Sequence, residues 1–140
     1  MNKKLFLVVF AIAITFTSLN AAKKPPFLIT GMMPHYTMDI KNNWNNKELA
    51  LNETQKEKLL VVRKDTMTSV ISIKKQIAPL EKEVSSKIIS GSKPSELMGL
   101  VEKIAELKAD ATKAHLSCLY RTQNILSKEQ LKVLTKLTKN

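Results

Sequence analysis

The sequence predicts an all-α protein built on a long antiparallel helical hairpin, with one short helix before it and another after it. Three observations carry that expectation. No stretch beyond residue 21 alternates apolar and polar residues between turn signals, as a strand would. Glycine occurs only at positions 31, 91 and 99. Apolar residues recur at three- and four-residue steps along two long segments, and only one short Gly- and Pro-containing stretch separates them.

The first 21 residues stand apart from the fold. Lys3 and Lys4 precede an apolar run from Leu5 to Thr17, and "SLNAA" closes it with small residues. This is the pattern of a secretory signal, too short for a membrane span and followed by no stop-transfer pattern, with cleavage expected after Ala21 or Ala22. Residues 22–50 read as an irregular segment holding one short helix, opened by Pro34 and running to about Lys41, with Trp44 as an apolar anchor in "NNWNN". Residues 51–140 read as the helical domain. Its first helix is expected from Glu53 to about Ser90, with Leu59, Thr66, Val70, Ile73, Ile77, Leu80, Val84 and Ile88 on one stripe and a bend near Pro79. In "SGSKPS", Gly91 suits a left-handed cap, Ser92 the next N-cap and Pro94 a first helical turn. The second helix then carries Leu97, Leu100, Val101, Ile104, Leu107, Ala111, Cys118 and Ile125, and a last short helix carries Leu131, Leu134 and Leu137.

One pentapeptide pattern occurs twice, as "LNETQ" (Leu51, Asn52, Gln55) and "LSKEQ" (Leu126, Ser127, Gln130). Asn52 and Ser127 are favourable N-cap residues, and each is followed three positions later by a Gln able to reach back to the N-cap amide. That is a capping box, and each cap contributes about 1 kcal/mol. The leucines hold the hydrophobic-staple position. Leu126 has Leu131 to pack on, whereas Leu51 faces Lys56 and needs a partner elsewhere.

Two such boxes opening the long helix and the last helix of an exported helical chain resemble the LTxxQ-motif proteins of the bacterial periplasm. These include chaperone and envelope-stress proteins of the Spy/CpxP type and the metal-linked relatives ZraP and CnrX. The resemblance spans roughly residues 34–137, and Asn52 stands where that family usually has Thr or Ser. It implies a four-helix protomer, a curved cradle-like homodimer, and a basic and apolar concave face that holds unfolded or misfolded envelope proteins without ATP. It also implies a metal-binding alternative. The resemblance implies that the metal-linked relatives use a histidine-containing pair in this part of the second long helix, together with histidines before the first box and an acidic residue early in the helix that this box opens. Here the upstream pair reduces to His35, and the corresponding position near Arg63 is not acidic.

Composition narrows the functional classes. The formal charge of +11 falls by two, to +9, once Lys3 and Lys4 are removed. For an exported chain with no aromatic-interleaved basic motif, that charge points to anionic or unfolded partners and not to nucleic acid. Arg63, Lys64 and Lys74 are the candidate client-binding cations. Cys118 is the only cysteine, so an intramolecular disulfide is excluded,. Met32, His35, Met38, His115 and Cys118 are the candidate ligands of a copper or zinc site, with packing as the alternative for the methionines and for Cys118, and with His115 expected at the edge of the apolar stripe. No orienting third group or oxyanion hole accompanies Cys118 and His115, so no enzyme is expected and no cofactor is required. The expected function is that of a periplasmic ATP-independent chaperone, without stable membrane insertion. A copper- or zinc-binding sensor or buffer is the runner-up, and an inhibitor docking the periplasmic domain of a sensor kinase is the third reading.

Overall fold

The computed structural model describes residues 25–31 and 33–138 and is all-α. The expected signal segment and the candidate ligand Met32 lie outside the described residues. Among the described residues there are four α-helices, one short 3-10 turn and no strand. Helix α1 spans Tyr36–Asn42, α2 Glu53–Ile89, α3 Met98–Ile125 and α4 Lys128–Leu137. No helix among the described residues is long and apolar enough to cross a membrane.

Helix α1 starts two residues after Pro34, with His35 at its N-cap and no side-chain cap. The proline therefore precedes the helix and is not its first residue. At 37 residues, α2 measures about 55 Å, and it continues through the exposed Pro79.

The turn to α3 is closed by backbone geometry. Gly91 adopts φ +87°, its N–H donates to the Ile88 carbonyl at 3.0 Å, and the Ser92 N–H donates to the Lys87 carbonyl at 2.9 Å. That bond pair is the Schellman arrangement, which needs a left-handed residue. Ser92 does not cap the next helix. Instead the Lys93 N–H donates to Glu96 Oε2 at 2.6 Å, and Pro94–Glu96 form a 3-10 turn before α3 begins.

Helices α2 and α3 pack along one another, and their partners meet in reverse sequence order. Gln55 meets Ile125, Asp65 meets Arg121 and Glu81 meets Lys108. The main core sits at the end where all four helices gather: Ile40, Leu49, Leu59, Leu126 and Leu134 are buried there, with Trp44, Leu51 and Leu131 packed against them. Leu51 thus finds the partner it lacks on its own helix. Beyond this cluster the seam narrows to Val62, Ile77, Leu97, Leu107, Ala111 and Cys118.

Two apolar positions expected on the inward stripes are exposed, Ile88 at 58% and Val101 at 45%. Both lie near the distal turn, where two helices meet without a third layer to cover them.

Candidate functional site

The two pentapeptides are a single structure. Gln55 N–H donates to Asn52 Oδ1 at 2.8 Å and Gln130 N–H to Ser127 Oγ at 3.1 Å, while the Asn52 and Ser127 amides donate back to the glutamine Oε1 atoms at 3.2 and 2.9 Å. Both capping boxes therefore form. Their glutamines also bind each other: Gln55 Nε2 donates to Gln130 Oε1 at 2.8 Å, and Gln130 Nε2 donates to Gln55 Oε1 at 3.0 Å. Each then ties down the residue preceding the other box. Gln55 Nε2 donates to the Ile125 carbonyl at 3.0 Å, and Gln130 Nε2 to the Leu49 and Ala50 carbonyls at 3.0 and 3.2 Å. A glutamine amide offers two donors and two acceptor lone pairs, and here all are used. Sequence spacing predicts the local caps, but a contact between residues 75 apart depends on the path of the chain between them.

The candidate metal ligands divide. His35 and His115 come together, with ring centroids 5.4 Å apart and planes 16° from parallel, and Phe27 stacks on His115 at 4.8 Å and 14°. Imidazole nitrogen lone pairs lie in the ring plane, so two stacked rings direct theirs along parallel planes and not toward one ion. His115 is buried at 7% exposure. The reason is the entry segment, which folds over α3: the Leu28 N–H donates to Thr112 Oγ1 at 2.9 Å, and Pro26 is buried. Burial, reinforced by the nearby charge of His35 and partly offset by a hydrogen bond with the Pro34 backbone, lowers the His115 pKa from 6.5. His115 Nδ1 and Thr122 Oγ1 are buried without a hydrogen-bond partner. Cys118 is a buried free thiol, and Met38 is half exposed at 50%. Among the described residues no group of three or more His, Cys, Asp and Glu side chains is placed to hold a metal ion.

The three candidate client-binding cations occupy different environments. Lys64 is exposed on α2. Lys74 is half-buried and lines, with Phe27, Ile77 and Lys108, a hollow of about 490 Å³ beneath the entry segment. Arg63 is half-buried beside a second hollow near Trp44.

A surface that sequence reading missed runs beside Lys64. Leu60, Met67, Ile71 and Ile89 are exposed at 55, 44, 44 and 84%, and Lys64, Lys75 and Lys82 are exposed among them. With Ala78 and Ser85 these residues follow one another at three- and four-residue steps, so they form one face of α2, and it carries no acidic residue,. None of those three lysines makes an ion pair among the described residues, whereas Lys56, Lys87, Lys108 and Arg121 do. The signal was present as a second apolar periodicity one position behind the first.

Comparison with protein-family models, with curated proteins and with solved structures finds no match to this chain.

Proposed function

We propose that this protein is an ATP-independent chaperone of the periplasm, working as an antiparallel helical hairpin that shields exposed segments of unfolded envelope proteins. The observation that carries the reading is the acid-free face of α2, where exposed apolar side chains alternate with unpaired lysines. Exposed apolar side chains clustered on one face among polar residues mark interaction surfaces.

Helix α3 carries exposed apolar residues as well. Met98, Val101 and Leu116 are exposed at 47, 45 and 46%, and each follows an inward residue by one position, as Leu60, Met67 and Ile71 do on α2. A helix turns by 100° per residue, and the sense of rotation reverses between helices running in opposite directions. Positions one after the inward stripe therefore point to the same side of an antiparallel pair. The Asp65–Arg121 ion pair, formed by residues one before that stripe, falls on the other side. Both helices thus contribute exposed apolar residues to one side of the pair, part of which the entry segment covers at Thr112 and His115.

Capture proceeds in two stages. The excess positive charge draws in acidic or unfolded chains, and short apolar patches then hold them weakly enough for release. In a homodimer two such faces would adjoin, as the resemblance implies. The test is suppression of aggregation of a denatured client by the purified mature protein, at low and high salt, without nucleotide. Suppression without nucleotide, weakened by salt because exposed charges are screened beyond about 8 Å at physiological ionic strength, is the expected result. Suppression only after copper or zinc is added would move the assignment to a metal-dependent protein, and none under any condition would refute the chaperone reading.

A further inference from the structure

A hollow of about 260 Å³ opens between α1, the loop after it and the start of α2. Its floor and walls are apolar: Ile40 and Leu59 are buried, and Trp44 and Leu60 complete the lining. Its polar lining consists of Thr37, Lys41 and Arg63, and no carboxylate is among the lining residues. Arg63 is half-buried yet makes no hydrogen bond or ion pair among the described residues, whereas Arg121, the other arginine, is paired with Asp65 at 3.0 Å. A partly buried arginine whose guanidinium has five donors and no anion among the described residues, at the edge of an apolar hollow, is an incomplete recognition site,.

We propose that this hollow binds an aliphatic carboxylate, a medium-chain fatty acid, with its chain against Trp44 and Leu59 and its head on Arg63. The lining selects this chemistry in three ways. The volume lies just below the ~300–1,000 Å³ of ordinary ligand pockets, which fits a short alkyl chain and not a sterol or a two-chain lipid. Lys41 sits in the last turn of α1, where helix carbonyls carry partial negative charge. That environment disfavours a phosphate dianion and leaves the planar fork of Arg63 as the anchor, matched by the two oxygens of a carboxylate. A polypeptide C-terminus carries the same head but brings backbone N–H and C=O groups that need partners, and the lining supplies only the Thr37 hydroxyl and the Trp44 indole N–H among neutral side chains,. Leu60 borders both this hollow and the exposed face of α2, whereas Arg63 and Trp44 line the hollow and are not part of that face, so the Arg63 variants test this site separately from client capture.

Trp44 is the only tryptophan in the chain, so its emission reports on the site. Titrating decanoate into the purified protein below the micellar concentration should shift that emission saturably to the blue. Decanol, the same chain without the anion, should bind about tenfold more weakly or worse, as expected for loss of one charge-assisted contact. Arg63→Gln should weaken decanoate by a similar factor while leaving decanol unchanged, and Arg63→Lys should fall between because it keeps the charge and loses the fork. Circular dichroism checks that the variants keep their helix content. The proposal is overturned by the absence of a decanoate response, by equal responses to decanoate and decanol, by unchanged decanoate affinity in Arg63→Gln, or by a preference for a short apolar peptide with a free C-terminus.

Discussion

Gln55 and Gln130 distinguish this protein from any helix pair with ordinary caps. In a plain capping box Glu and Gln serve equally, because the side chain only accepts from the N-cap amide. Here each glutamine must also donate, and Gln130 Nε2 has Leu49, Ala50 and Gln55 as acceptors. Gln130→Glu keeps every acceptor and removes both donors, placing a carboxylate against two carbonyls. It should therefore destabilise the protein by about 1–3 kcal/mol in chemical denaturation, and Gln55→Glu should act in the same direction. Equal stability of either variant and the parent would reduce the pentapeptides to independent caps. The sequence made the caps legible because Asn52 to Gln55 and Ser127 to Gln130 are local pairs. It could not show that two glutamines 75 residues apart meet, since that depends on α2 and α3 returning the chain to its starting point.

Among the elements, the entry segment is held to α3 by few contacts, and one of them titrates. Phe27 and His35 stack on His115, and Leu28 is tied to Thr112. The other charged groups around this segment are Asp39 on α1, Lys74 and Glu81 on α2, and Lys108 on α3. Because burial lowers the His115 pKa from 6.5, the packed state binds its proton less readily than the unpacked state,. Its contribution is full above about pH 6.5 and is lost as the pH falls toward the depressed value. Asp39 works oppositely: burial raises its pKa above 3.8 despite the positive influence of His35, so it adds stability on further acidification, at a lower pH. Thermal unfolding should therefore move to lower temperature between pH 7.5 and 5.5, and His115→Phe should flatten that slope. An unchanged slope in the variant would remove His115 from the account. This element was the least legible part of the sequence. The helices announced themselves by periodicity and Gly91 by its turn, but "PPF", Pro25 to Phe27, has no period, so nothing local revealed that Phe27 would stack on His115.

At the scale of the molecule, the four helices gather their core at one end and leave α2 and α3 to extend beyond it as two helices with a narrow seam. Such a ribbon cannot bury every apolar residue it carries. The exposed Leu60, Met67 and Ile71, set among Lys64, Lys75 and Lys82, are what the proposed function uses. The all-α class and the two long helices were readable from apolar spacing. The second, outward stripe was not read as a surface, because the inward stripe already accounted for the periodicity. The most direct measurement is the affinity of a fluorescently labelled unfolded client, by anisotropy at low salt, for the parent, for Met67→Ser/Ile71→Ser, and for Ser69→Asn/Gln76→Asn, which alters exposed polar positions off that face. The account predicts that the first variant binds at least about tenfold more weakly, since each lost apolar contact is worth about 1 kcal/mol or more, and that the second binds as the parent does. Equal affinity for all three proteins would contradict it.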